Sequence, residues 1–140
     1  LPGSAALTGT ARSFDAAVRD RIETELRRIV HGIAAAASVE AEVKYVRYYP
    51  AAINDADAAA TALAAAEDAG LTAVNAERPS FAAEDFAFLL AERRGAYAWL
   101  GQKRGENDPP LHHPAYDFND AIIPHGVTWF TALVERELAA

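Results

Sequence analysis

The stretch Ala5-Ala6-Leu7-Thr8-Gly9-Thr10-Ala11-Arg12-Ser13-Phe14-Asp15 carries an alternation followed by a stop. On an extended backbone successive side chains take opposite faces. Ala5, Leu7, Gly9, Ala11 and Ser13 therefore share one face, and Ala6, Thr8, Thr10, Arg12 and Phe14 the other. The spacing predicts a strand with one polar face, Arg12 on it, ending where Asp15 stands as a helix N-cap. Val18, Ile22, Leu26, Ile29, Val30 and Ile33 then follow at helical spacing and predict a helix over Ala16–Ala36. Val39–Tyr49 alternates again and stops at Pro50, so the first fifty residues read strand, helix, strand. A right-handed crossover would make those strands parallel or near neighbours in one sheet. Two strands and a helix are too little to stand as a sheet unaided, and this unit is expected to need a partner.

Further along, Asn54-Asp55 is a capping pair, and Ala56–Ala69 is an alanine-rich helix closed by Gly70. Leu71–Ala76 reads as a short strand. Pro79-Ser80 opens a helix over Ala82–Arg93 that stops at Gly95, with Glu84 and Asp85 in its first turn, where acidic side chains complement the helix dipole. The apolar run Ala96–Leu100 reads as a buried strand and Gly101–Asp108 as a charged loop. A last helix runs from about Ala121 or Pro124 to Leu138, with Val127, Phe130, Val134 and Leu138 on one face and Asp120 as its cap. Helices alternating with strands define an α/β fold class.

Between that charged loop and the last helix lies Leu111-His112-His113-Pro114-Ala115-Tyr116-Asp117-Phe118-Asn119-Asp120, which holds two of the chain's four histidines. Flanking prolines favour extended backbone, so the segment reads as a loop. Neutral imidazole is a common zinc ligand, but a catalytic zinc takes three protein ligands and this segment offers one or two. No His-Glu-x-x-His and no cysteine pair completes a site, and adjacent histidines also occur as solvated loop residues.

Composition bounds the partners. A net charge of −7 and a pI near 5.0 argue against a nucleic-acid partner bound through phosphates. No apolar run approaches the ~20 residues of a membrane span. The absence of cysteine fits a reducing compartment, so a cytoplasmic location is expected. The absence of any methionine, position 1 included, suggests a piece of a longer protein.

Four blocks resemble, in order, the C-terminal part of the dimetal amidohydrolases and peptidases that include aminoacylases, hippurate hydrolases, auxin-conjugate hydrolases and glutamate carboxypeptidases. They are Gly9-Thr10-Ala11-Arg12-Ser13-Phe14-Asp15, Glu84-Asp85-Phe86-Ala87, Gly95-Ala96-Tyr97-Ala98-Trp99-Leu100-Gly101, and the histidine segment with Pro124. The resemblance implies that residues 1–54 are the second half of a ferredoxin-like α+β lid that makes a homodimer. It implies that residues 55–140 are the closing α/β segment of the catalytic domain. His112 matches the family's final metal ligand, Arg12 a lid arginine that reaches the substrate carboxylate, and Glu84 and Asp85 a block lining the cleft. His113 stands where the family has a small polar residue and is not assigned. Phe81-Ala82-Ala83 replaces the usual methionine and glycines, and His125 replaces an aliphatic residue.

The implied chemistry is metal-assisted hydrolysis of the amide bond of N-acyl amino acids or small peptides. It uses two divalent ions (zinc, manganese or cobalt) in the full-length parent. The remaining ligands and the general base belong to an N-terminal catalytic segment upstream of Leu1. No catalytic residue is assigned within this chain, which is expected to be inactive alone. A non-catalytic dimerisation or binding module and a dead homologue are the alternatives.

Overall fold

A computed structural model of the chain describes residues 2–139. Its regular elements are α1 (Ala16–Ala36), α2 (Ala56–Asp68), the short α3 (Ala87–Glu92), a 3-10 turn (Asp120–Ile122) and α4 (Ile123–Leu138).

The long helices start and stop where local chemistry directs. Asp15 caps α1, its carboxylate accepting from the Val18 amide at 2.8 Å, and Asp55 caps α2 through the Ala58 amide at 2.9 Å. Both helices end in the same motif. The amides of Gly70 and Leu71 donate back to Glu67 and Ala66, with Gly70 at φ 73°. Those of Ser38 and Val39 donate back to Ala35 and Ala34, with Ser38 at φ 54°. The left-handed corner is open to glycine and strained for serine.

Three expectations are corrected. α3 begins at Ala87 rather than Ala82, so Glu84 and Asp85 precede it instead of forming its first turn. The Ser80 hydroxyl takes the Ala82 amide at 3.1 Å, a local turn that competes with helix. Asp120 does not cap the last helix: Asn119 caps the 3-10 turn before it, accepting from the Ala121 amide at 3.2 Å, and α4 itself starts after Ile122 with no side-chain cap. The stretches 5–14, 39–49, 71–76 and 96–100 do not form strands, and no strand occurs among the described residues. Alternation fixes which face a side chain takes, but a strand exists only where a neighbouring backbone accepts its ladder. Here side chains stand in for that neighbour. The Arg27 guanidinium donates to the Val43 carbonyl at 2.8 Å. The Asn54 amide both donates to the Tyr97 carbonyl, at 2.9 Å, and accepts from its N–H, at 2.8 Å, as an opposing peptide group would.

The chain divides into two units. The first comprises Leu1–Ala52 with Ser80–Phe88. In it α1 is joined to the 39–49 stretch by Arg27 and by Arg47, which pairs with Asp20 and Glu23. Phe14 lies on Phe81 with ring centroids 4.4 Å apart. The second unit comprises Ile53–Pro79 with Leu89–Ala140. In it α4 packs on α2, where the Trp129 indole donates to the Ala62 carbonyl at 2.9 Å, Arg136 pairs with Asp68, and Ala65 and Ala132 are buried.

Little else is buried. Among the described residues the only buried side chains are alanines: Ala34, Ala65, Ala87 and Ala132. The chain exposes 11514 Å². A compact protein of its 15.0 kDa would expose about 7,000 Å², and two separate compact domains of half that mass about 8,500 Å² together. The surplus is apolar and organised. On α1, Val18, Leu26, Ile29 and Ile33 are exposed in one stripe, and on α4 so are Ile123, Val127, Phe130, Val134 and Leu138. The α4 stripe lies opposite the face that Trp129 and Ala132 turn toward α2. A helix apolar on two sides belongs between two layers. No helix among the described residues is long and apolar enough to cross a membrane.

Candidate functional site

The histidine loop is built from two consecutive turns. The His113 amide donates to the Pro110 carbonyl at 3.1 Å, closing a turn around Leu111 and His112. The Tyr116 amide donates to the His113 carbonyl at 2.9 Å, closing a second around Pro114 and Ala115. His112 has φ 70° and Leu111 does not share that sign, so the first turn is of type II with His112 at its left-handed corner. Glycine or asparagine is the usual occupant. A histidine there stores roughly 1–2 kcal/mol of backbone strain, and such corners concentrate at functional sites.

The two imidazoles differ. His113 Nδ1 accepts the Ala115 amide at 3.1 Å, so that ring is engaged in its own turn. His112 is exposed, and its ring has no hydrogen-bond partner among the described residues. Its nitrogens are open to an outside ligand. His125 ties the first turn of α4 to the 3-10 turn before it, donating from Nδ1 to the Ala121 carbonyl at 3.1 Å.

The loop is suspended from its base by side chains. Gln102 accepts the Asn119 amide at its Oε1, 3.0 Å away, and its carbonyl accepts the Asn119 side chain at 3.0 Å. The Arg104 guanidinium donates to the Asp117 carboxylate at 3.0 Å and to the Phe118 carbonyl at 2.8 Å. Sequence reading missed these contacts. Arg104 and Asp117 are opposite charges in neighbouring loops, and nothing local marks them as partners.

Arg12 and the Glu84-Asp85 block lie in the first unit, and His112 lies in the second. The Phe14–Phe81 contact brings the segment after Arg12 against the segment before Glu84. Arg12 is exposed and makes no hydrogen bond or ion pair among the described residues. By contrast Arg27, Arg28, Arg47, Arg94, Arg104 and Arg136 are all paired with carboxylates. The hydrogen bonds from Arg27 and then Arg47 lower the Glu23 pKa, and the bond from Arg136 lowers that of Asp68. The amide of Ala58, more than Arg94, lowers that of Asp55. No group of three or more histidine, aspartate or glutamate side chains is placed to hold a metal ion among the described residues. Of the two adjacent imidazoles, His112 is the one without a hydrogen bond among the described residues.

Comparison with known proteins defines the class: the sequence profile of peptidase family M20/M25/M40 matches residues 3–136, and the chain belongs to that family. Among similar proteins, the N-acetylcysteine deacetylase of Bacillus subtilis (strain 168) is 32% identical over 133 residues, covering 95% of this chain and 34% of that one. The hippurate hydrolase of Campylobacter jejuni is 29% identical, covering 99% of this chain and 36% of that one. The N-acetyldiaminopimelate deacetylase of Geobacillus sp. (strain WCH70) is 29% identical, covering 93% and 34%. The chain thus spans about a third of the length of the curated relatives it matches. No solved structure is a significant match.

Proposed function

We propose that the chain is the closing part of a metal-dependent amidohydrolase that cleaves the amide bond of N-acyl amino acids or small peptides. The observation that carries this is the family match over residues 3–136, in which His112 stands unpartnered at a strained corner. Relatives named for deacetylation of N-acetyl amino acids and for hippurate hydrolysis support the substrate class.

In this reading His112 holds one of two divalent ions (zinc, manganese or cobalt), whose Lewis acidity serves the scissile carbonyl when they are bound. Arg12 keeps its guanidinium free for the substrate carboxylate, a charge-assisted bidentate contact. Glu84 and Asp85 line the cleft. The remaining ligands and the base come from an N-terminal catalytic segment, whose α/β sheet also takes up the bare face of α4. Residues 1–54 act as half of a lid that forms a homodimer, and residues 55–140 as catalytic segment. The absence of cysteine suits the cytoplasm.

The test is metal content and steady-state kinetics of the enzyme that contains this chain. His112→Ala is expected to lower metal occupancy and abolish hydrolysis, and unchanged occupancy rejects the ligand role. Arg12→Ala is expected to raise KM for carboxylate-bearing substrates by about 10- to 100-fold, the loss of one charged hydrogen-bonding partner, with metal content unmoved. The 140-residue chain assayed alone is expected to be inert.

A further inference from the structure

We propose that Arg104, together with the Gln102–Asn119 pair, is the positioning clamp of the histidine loop and keeps His112 at its left-handed corner. The proposal rests on His112 being a metal ligand for its purpose, but not for its geometry.

A non-glycine corner at φ 70° persists only when the surrounding structure over-determines it. The backbone does little of this. No strand among the described residues closes the loop, and within it the two turns are held by single amide–carbonyl bonds, 113 to 110 and 116 to 113. What joins the rising limb to the falling limb is side chain. The Arg104 fork reaches the carboxylate and carbonyl of Asp117 and the carbonyl of Phe118, directly after the second turn. One step further down, Gln102 and Asn119 pair through both their backbone and side-chain groups. The Arg104 amide itself donates to the Asp108 carboxylate, which folds the start of the loop back on its base. The two rungs therefore fix residues 102–104 to 117–119 and leave 109–116 to span a closed gap. Prolines at 109, 110 and 114 remove much of the remaining freedom. A planar fork with several fixed donors suits this role, and a lysine at the same place offers only a point charge. Groups that orient a metal ligand from outside the coordination shell typically change metal affinity 10- to 100-fold when removed.

Backbone relaxation of the whole chain by NMR tests the clamp. In the native chain, residues 110–116 are expected to show order parameters near the rigid value of ~0.85, falling below ~0.6 in Arg104→Ala while α2 and α4 amides keep their shifts. Arg104→Lys is expected to give intermediate order, and it serves with Asn119→Ala if the alanine variant unfolds the chain. Unchanged order and an unchanged His112 φ-dependent coupling in all three variants would overturn the proposal. Metal competition in the loaded enzyme separates the two ideas. The clamp predicts a 10- to 100-fold weaker affinity for Arg104→Ala beneath a larger loss for His112→Ala. A mobile loop with His112→Ala harmless to affinity leaves the clamp standing and defeats the ligand reading. A lost ion in His112→Ala with a rigid loop in Arg104→Ala does the reverse.

Discussion

Helices α1 and α4 are both amphipathic, and both leave an apolar stripe bare, yet they are attached to their units by different forces. α1 is attached by charge: Arg27 bridges Glu23 and the Val43 carbonyl, and Arg47 bridges Asp20 and Glu23. α4 is attached chiefly by fit, with a single ion pair, Arg136 to Asp68, beside it: Trp129 spans to Ala62, and Ala65 and Ala132 let the two helices come close. Exposed ion pairs contribute little each and are screened by salt. Packing of small residues under an indole is indifferent to both salt and pH. One chain therefore carries two attachments with different sensitivities, and each can be weakened without touching the other.

The largest expected effect is on the packed side. Trp129→Ala removes a half-buried indole and its hydrogen bond and is expected to destabilise α2–α4 by about 2–3 kcal/mol, below the range for a fully buried tryptophan. Denaturant unfolding of the variant measures it. A loss under half a kcal/mol would mean that α4 is attached by something other than fit.

Asp15→Ala removes the carboxylate that accepts the Val18 amide and is expected to lower α1 stability by about 1 kcal/mol. Amide exchange in the first turn of α1 reads this directly. Ser38→Gly relieves the corner that closes the same helix and is expected to stabilise it by roughly 0.5–1 kcal/mol. The matching position in α2 is already Gly70, so Gly70→Ser should lose about what Ser38→Gly gains. Unequal changes would show that the two helix ends, though alike in hydrogen bonding, differ in strain.

The smallest effect is set by pH. The arginine contacts hold the Glu23 pKa below its usual 4.5. A group whose pKa is lowered by folding stabilises the fold above its unfolded value, and that contribution fades as pH falls through the lower folded value. Acidification from pH 6 to 3 should therefore loosen the 39–49 stretch from α1, read as faster exchange near Val43, and added salt at neutral pH should act in the same direction. Asp68 follows the same sign through Arg136, but the Trp129 bond and the buried alanines do not titrate. Parallel loss at Val43 and Ala62 would erase the distinction.

What could be read in the sequence follows the range of the interaction. α1 was legible to the residue because its cap, its apolar period and its end are all local. α2 was legible for the same reason, with Gly70 marking its close. The start of α3 was not, because Ser80 offered the backbone a competing turn that propensity cannot weigh. The four stretches read as strands form none among the described residues, since alternation is local and a ladder depends on what lies alongside. At the site, the sequence located His112 between prolines and suggested a loop, and only family resemblance points to the role proposed for it. The left-handed corner was hidden because histidine is not its expected occupant. The Arg104 and Gln102 contacts were hidden because they join residues far apart in the chain, through atoms with no periodicity.

The 11514 Å² already in contact with water has a thermodynamic consequence. Denaturant sensitivity and the heat-capacity increment both scale with the area newly hydrated on melting. A folded state that begins so wet has little left to hydrate. Its melting should be broad and shallow, with a small calorimetric step, and should sharpen when a partner surface settles over the stripes of α1 and α4.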